Sequence, residues 1–380
     1  MLHKIISAAT CAAIISSSCS AASSKSLKIT QERQAKQINL SQTWDKTFKL
    51  NKNVAHQKVR FINRFGITLA ADLYYPKNIK EGAKLPAIAI SGPFGAVKEQ
   101  SSGLYANELA SRGFITLAFD PSYTGESGGA GGVRNVASPD INTEDFSAAV
   151  DFLALQSFVD SDKIGILGIC GFGGFALNAA TIDTRIKAFV GVSLYDMSRS
   201  MGRGVGENGD AYGKKERKIV LNYLNNARLD DIKNAKYAGG LHEIYVDEKG
   251  VAHPEAKTLL PEVLPANPHP VLKQFYEYYR TPRGFHERSI NSNGIWNATM
   301  PLSFMSIKMD DYADEIDQSV LLIAGQNAHS LYFSKDVIAK MKGDNKELMV
   351  VKGAHHVDLY DQKDKIPFNK IESFYKANLK

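Results

Sequence analysis

The sequence predicts an α/β chain: a mostly parallel central sheet, helices on both of its faces, and a helical cap inserted late. Three observations carry this. Short apolar runs alternate with helical stretches from residue 57 to residue 195, the alternation then stops over residues 197–318, and it resumes at residue 320 and continues to the C-terminus. Strands that alternate with helices run parallel, because each crossover returns the chain to the same end of the sheet and lays a helix on one face. The interruption reads as a cap between two consecutive strands.

Composition excludes several classes. The chain has 380 residues, of which 44% are apolar and 23% charged, and that is ordinary globular usage rather than disorder, collagen or a coiled-coil array. The length suits one large α/β domain with an insertion, or two modest domains. A net charge of +6 without a long Lys/Arg run is too mild for a nucleic-acid partner.

The N-terminus reads as an export signal over residues 1–22. Lys4 supplies the positive charge, residues 5–15 form a short apolar core, and Ser20-Ala21-Ala22 fits the small-x-small cleavage rule. The run is too short and too rich in Ser and Thr to span a bilayer, so no membrane span is expected. The mature protein is expected to be exported, periplasmic or secreted. Lipoprotein anchoring at Cys19 is the alternative, disfavoured because Ser16-Ser17-Ser18 lacks the expected aliphatic residue. Cleavage after Ala22 removes Cys11 and Cys19 and leaves Cys170 alone, without an internal disulfide partner and either buried or reactive. Residues 23–55 are polar and read as a solvated arm or a short helix.

The elements follow in order. Residues 58–63 and 67–75 alternate around Phe65-Gly66 and are ended by Pro76, as in an antiparallel hairpin. Residues 85–91 form a buried strand, 100–111 a helix closed by Gly113, and 114–119 a second buried strand. A Gly-rich loop (124–132) precedes an amphipathic helix at 142–155. Strand 163–169, helix 172–180 and strand 186–195 complete the first part of the core, residues 56–196. The cap, 197–318, contains a helical stretch at 216–227, a Pro-rich segment at 254–270 and the aromatic run Phe275 to Tyr279. The second part of the core, 319–380, holds strands at 320–324 and 347–351 and helices at 332–341 and 366–379.

The chemistry centres on Gly168-Ile169-Cys170-Gly171-Phe172-Gly173-Gly174, where a buried strand runs straight into a helix. A nucleophile on such a tight strand-to-helix turn stands clear of the sheet, and small residues around it let strand and helix crowd together. The helix N-terminus points free N–H groups at the nucleophile, favouring a thiolate and holding an oxyanion. Phe172 departs from the small-residue pattern, with Gly173 expected to compensate. The alternative is an inert buried Cys. Gly171-x-Gly173-x-x-Ala176 with Asp196 about 20 residues on also suits a dinucleotide site, but it falls on a late strand and leaves the late histidines unexplained.

A base is expected after the last strand, where Gly353-Ala354-His355-His356-Val357-Asp358 offers two imidazoles. An oxyanion donor is expected in Ser91-Gly92-Pro93-Phe94-Gly95. Pro93 has no N–H, so Phe94 is expected to pair with the Gly171 N–H. The spacing His356-x-Asp358 has no partner cluster, so no metal is called for.

Elbow, cap and late His, in that order, resemble the α/β-hydrolase superfamily, and the Cys nucleophile resembles its dienelactone-hydrolase-like branch. Gly92 to Gln100, Ser138 to Phe146, Tyr279 to Gly284 and Gly353 to Tyr360 resemble a bacterial group of hydrolases in that superfamily. The resemblance spans residue 57 to the C-terminus. It implies an α/β-hydrolase fold, Cys170 as nucleophile and His356, before Val-Asp-Leu-Tyr, as base. It also implies an acid after strand 320–324, but Gly325-Gln326-Asn327-Ala328-His329-Ser330 holds no carboxylate. Asp196, one strand earlier, is the expected acid, with a helix cap as its alternative role. Glu99 is a possible resting partner of the thiol, although a surface pair with Lys98 is the favoured expectation. Asp120 either braces the 124–132 loop or ends a turn. Phe275, Tyr276, Tyr278 and Tyr279 are expected in the cap core rather than in a substrate wall, with Arg280 and Arg283 available to an anionic substrate.

The expected activity is hydrolysis of a carboxylic ester, lactone or thioester of a small molecule, without a cofactor. A peptidase of the same fold and a non-catalytic ligand-binding relative are the alternatives.

Overall fold

Continuous apolar runs become central strands because both faces of each are covered. The structure, a computed structural model, describes residues 26–206, 209–254 and 256–380; the expected signal peptide (1–22), with Cys11 and Cys19, lies outside the described residues. Eight strands make the main sheet: β1 (Val54–Ile62), β2 (Thr68–Pro76), β3 (Leu85–Ser91), β4 (Ile115–Phe119), β5 (Val159–Ile169), β6 (Ile186–Val192), β7 (Ser319–Gly325) and β8 (Lys346–Val351). Their spatial order is β1-β2-β4-β3-β5-β6-β7-β8. The hairpin β1–β2 is antiparallel and β2 is antiparallel to β4, while β4, β3, β5, β6, β7 and β8 run parallel to their neighbours. The runs Ile115 to Phe119 and Ile164 to Ile169 are buried at every residue, as strands with both faces covered must be. Edge strand β8 is only partly buried.

Helices α1 (Ser101–Ala110), α2 (Pro139–Ala154) and α3 (Phe172–Ile182) cross between these strands, and α2 packs on α3. The expected helix at 142–155 starts earlier, since Pro139 sits in its first turn, where a missing N–H costs nothing. The expected strand 186–195 stops at Val192 because Ser193 adopts φ +46°. The expected α/β fold, mostly parallel and flanked by helices, is the one observed.

Between β6 and β7 lie α4 (Met197–Arg203), α5 (Lys214–Asn234), α6 (Pro270–Tyr279) and two-residue strand ladders joined by loops. After β7 come α7 (Leu331–Lys340) and the terminal α8 (Phe368–Asn378), whose Tyr375 hydroxyl donates to Ile166 O at 2.6 Å under the sheet. Among the described residues, no helix is long and apolar enough to cross a membrane.

The N-terminal arm is exposed or half-buried along nearly all of its length, with Lys46 buried. It carries no helix or strand between residues 26 and 53, yet it is strapped to the core. Thr30 N donates to Gln156, Lys36 N to Thr68, and buried Lys46 lies 2.6 Å from Asp72. A polar composition did not distinguish a solvated arm from one whose charges are paired inside.

Candidate functional site

The nucleophile position is created by a steric requirement. At the end of β5 the chain must turn into α3 within two residues, and Cys170 does so at φ +56°. A non-glycine residue in that region costs about 1–2 kcal/mol. The turn is pinned by Cys170 N donating to Val192 O at 2.9 Å and by Tyr195 N and Gly173 N donating to Cys170 O at 3.0 and 2.8 Å. A Cβ on Gly168 would fall 2.1 Å from Phe172 O, and one on Gly171 would fall 2.7 Å from the Phe94 Cβ. Phe172 is accommodated because its ring lies on the far side, against Phe146 and Phe175.

Cys170 lies at the floor of a cavity of about 630 Å³ shared by core and cap. The core contributes Pro93, Phe94, Tyr195 and His329, and the cap contributes Leu259, Leu260, Leu272, Phe275 and Tyr279. The walls are mostly apolar, with His242, Glu243, His269, Asn291 and His329 as polar points, and the Tyr195 hydroxyl donates to Glu243 at 2.8 Å. Phe275 and Tyr279, expected in the cap core, therefore line the cavity, while Tyr278 is buried behind them.

The Cys170 thiol is buried. Burial pushes its pKa up to about 11, opposed by the Tyr360 hydroxyl and by the N–H groups of Gly171 and Phe94, which face the sulfur. The Phe94 and Gly171 N–H groups are the two expected as oxyanion donors. The cap fixes one of them: Asn291 Nδ2 donates to Phe94 O at 2.8 Å, Ser289 Oγ donates to Gly95 O at 2.9 Å, and Trp296 stacks on the Phe94 ring at 4.2 Å. Sequence reasoning missed these cap residues, which no local pattern marks.

The two late histidines separate cleanly. His355 turns to Gln274, with its N–H donating to Asp358, whereas His356 is fully buried. His356 Nδ1 lies 2.5 Å from Ser330 Oγ and Nε2 lies 2.9 Å from the Tyr360 hydroxyl. The Ser193 hydroxyl donates to His356 O at 3.1 Å and holds its backbone. Burial, with His329 adding to it, depresses the His356 pKa well below the usual imidazole value, so the ring is a neutral base. If Nε2 accepts from Tyr360, Nδ1 carries the proton and donates to Ser330.

Asp196 must be corrected. Its Oδ1 accepts from Ser198 N, Arg199 N and Ser198 Oγ at 2.9, 3.0 and 2.5 Å, capping α4, and both His356 nitrogens are already engaged by Ser330 and Tyr360. It is the preceding side chain, Tyr195, whose ring faces His356 at 5.9 Å. The loop after β7 supplies a hydroxyl, Ser330, where a carboxylate was expected; its Ser was visible in the sequence but carried no distinguishing signal.

Glu99 needs two corrections. It is neither exposed nor beside the thiol. Lys98 Nζ lies 2.7 Å from Glu99, 2.9 Å from Asp120 and 2.6 Å from Glu126, and Arg288 bridges Glu99 and Asp45 at 3.0 and 2.7 Å. These charges hold Lys98 above its usual value and Glu99 down at about 2, in each case against the opposing effect of burial. Asp120 does brace the Gly-rich loop, accepting from Glu126 N at 2.8 Å. Arg283 is paired with Asp361 and Arg280 donates to Ser292 O, so both are engaged within the protein.

Comparison with known proteins gives four findings. The family model for X-Pro dipeptidyl-peptidase (S15 family) matches residues 66–356. The Pseudomonas aeruginosa protein PA2218 is 51% identical over 344 residues, 90% of this chain and 86% of that protein, and its crystal structure superposes with a TM-score of 0.79, covering 90% of this chain and 99% of that one. A thiohydrolase of Aspergillus aculeatus, aneE, is 32% identical over 142 residues, 37% of this chain and 42% of that protein. The α/β hydrolase GrgF of Penicillium sp. sh18 shares the fold at 18% identity and a TM-score of 0.65, covering 86% of this chain and 99% of that one.

Proposed function

Because the chain belongs to the X-Pro dipeptidyl-peptidase (S15) family and is a hydrolase of the α/β-hydrolase type, we propose that it hydrolyses carboxylic esters, lactones or thioesters through an acyl-enzyme on Cys170. The observation that carries this is a thiol raised on a left-handed turn at the floor of a largely apolar cavity, with the Phe94 and Gly171 N–H groups aimed at it.

Cys170 Sγ attacks the carbonyl carbon, as in the dienelactone-hydrolase-like branch. The Phe94 and Gly171 N–H groups hold the oxyanion, each worth roughly 3 kcal/mol. His356 is the base that receives the thiol proton, returns it to the leaving group and then activates water for deacylation. No step calls on a cofactor. The apolar walls suit a hydrocarbon acyl group, and the similarity to the Aspergillus thiohydrolase favours a thioester among the ester classes.

Intact-mass spectrometry after brief exposure to an activated ester tests this. An acyl mass on Cys170 is expected, and undiminished ester hydrolysis by both Cys170→Ser and Cys170→Ala would overturn it. The family match also favours a peptidase activity of the same site. A panel of X-Pro dipeptidyl amides assayed beside short acyl esters separates the two.

Residues 1–22 are taken as an export signal, so the enzyme acts outside the cytoplasm with Cys170 as its lone thiol. N-terminal sequencing of the exported protein is expected to begin at Ser23.

A further inference from the structure

The hydroxyl of Tyr360 occupies the approach between nucleophile and base. It lies 2.9 Å from His356 Nε2, and it also faces the Cys170 sulfur. Proton transfer needs hydrogen-bond reach, directly or through one bridging group. With Nε2 engaged by the phenol and Nδ1 by Ser330, neither nitrogen is left for the thiol.

The tyrosine is held where it is. Its side chain is fully buried, its ring packs edge-on against Tyr278 at 5.3 Å and Tyr279 at 6.2 Å, and its N–H donates to Val357 O at 3.1 Å. The preceding carbonyl, Leu359 O, accepts from the Tyr105 hydroxyl at 2.7 Å. The one-turn helix Asp358–Asp361 places Tyr360 four residues after His356, close enough for the two side chains to meet.

We propose that Tyr360 is a proton relay of the reaction, passing the Cys170 thiol proton to His356 as the sulfur attacks. This rests on Cys170 being the nucleophile. In the acylation step a bond forms between Sγ and the carbonyl carbon, and the carbonyl π pair moves onto oxygen, where Phe94 and Gly171 receive it. The Sγ proton moves to the Tyr360 oxygen while the phenolic proton moves to Nε2. The phenol gives one proton and takes one, so no free phenolate forms. Collapse of the intermediate breaks the bond to the leaving group, which takes a proton back from His356 along the same path. Water enters deacylation by the same exchange. Burial and the neighbouring Cys170 and Tyr279 keep the phenol well above its usual pKa, which suits a relay rather than a phenolate base.

The test uses the mature chain, with p-nitrophenyl acetate as probe. Acylation is followed by nitrophenol release and by intact mass at Cys170, for wild type and Tyr360→Phe, each in mixtures of H2O and D2O. Tyr360→Phe is expected to slow acylation by about 100-fold or more with little change in KM. Once corrected for the low deuterium fractionation of the ground-state thiol, the wild-type rate is expected to bow downward with deuterium fraction, as two protons in flight require, and the variant rate to fall linearly. Acylation of Tyr360→Phe at the wild-type rate, or a linear wild-type dependence, overturns the relay; the wild-type dependence decides by itself if the variant fails to fold. Failure of the wild type to carry the acyl mass on Cys170 overturns the nucleophile assignment instead, and the relay with it.

Discussion

Ser330 Oγ sits 2.5 Å from His356 Nδ1, in the loop after β7 where a carboxylate was expected. A hydroxyl orients the imidazole as a carboxylate would but adds no negative charge. Burial is then unopposed by a counter-ion, and the ring stays neutral. Ser330→Ala removes one buried hydrogen bond, about 1–1.5 kcal/mol, and is expected to lower kcat about 10-fold through poorer orientation. Ser330→Asp is expected to raise the His356 pKa by a unit or more, and histidine NMR titration of both variants checks this. An unmoved His356 resonance in Ser330→Asp would show that the pair has no electrostatic weight.

The pH profile follows from the same geometry. His356 is depressed, so it remains a free base as pH falls from 8 to 6, and Cys170, pushed up to about 11, remains a thiol over that range. The expected kcat/KM for a short ester is therefore flat between pH 6 and 9, without the acidic limb that an ordinary imidazole gives near 6.5. A limb at that ordinary value would show His356 to be solvated during turnover.

Buried charges between arm, core and cap predict acid lability. Glu99 is held at about 2, below its unfolded value, so its contribution is present above about pH 4.5 and is lost as pH falls toward 2. Asp145 has the opposite sign: burial raises it to about 6, so its protonated form favours the fold at low pH, and that preference is lost as pH rises from about 4 to 6. Lys98→Met removes the buried cation shared by three carboxylates, leaving Asp120 without an ion-pair partner, and is expected to cost about 3–5 kcal/mol. Thermal unfolding against pH measures both effects, and an unchanged Tm for Lys98→Met would contradict the pairing.

Gly168→Ala probes the elbow. The added Cβ would meet backbone, Phe172 O at 2.1 Å, so strand and helix must separate. Displacing the sulfur by about 1 Å is expected to lower the acylation rate about 100-fold while the sheet persists. Circular dichroism together with the ester assay checks this, and full activity would mean that the turn tolerates widening.

Local patterns carried the parts of this protein that are written locally. The apolar runs at 85–91, 115–119 and 164–169, the glycines flanking Cys170 and the loop holding His356 follow neighbouring-residue rules, and each was legible. Glu99, Asp196 and Arg283 were misjudged because a charged side chain can point to solvent, to a cap or to a buried partner with no change in its sequence context. The roles of Ser330 and Tyr360 were not legible because a hydroxyl residue carries no pattern until something faces it.

What the sequence by itself determined is the α/β architecture and the presence of a sulfur on a sharp turn, since hydrophobic periodicity and glycine placement act over a few residues. Tertiary structure alone decided which groups meet that sulfur. Tyr360 lies beside His356 in sequence but far from Cys170, while Ser330 and Asn291 lie far from the groups they bond, and only packing of the sheet, its helices and the cap brings these atoms together, Ser330 and Asn291 to within 3 Å of their partners.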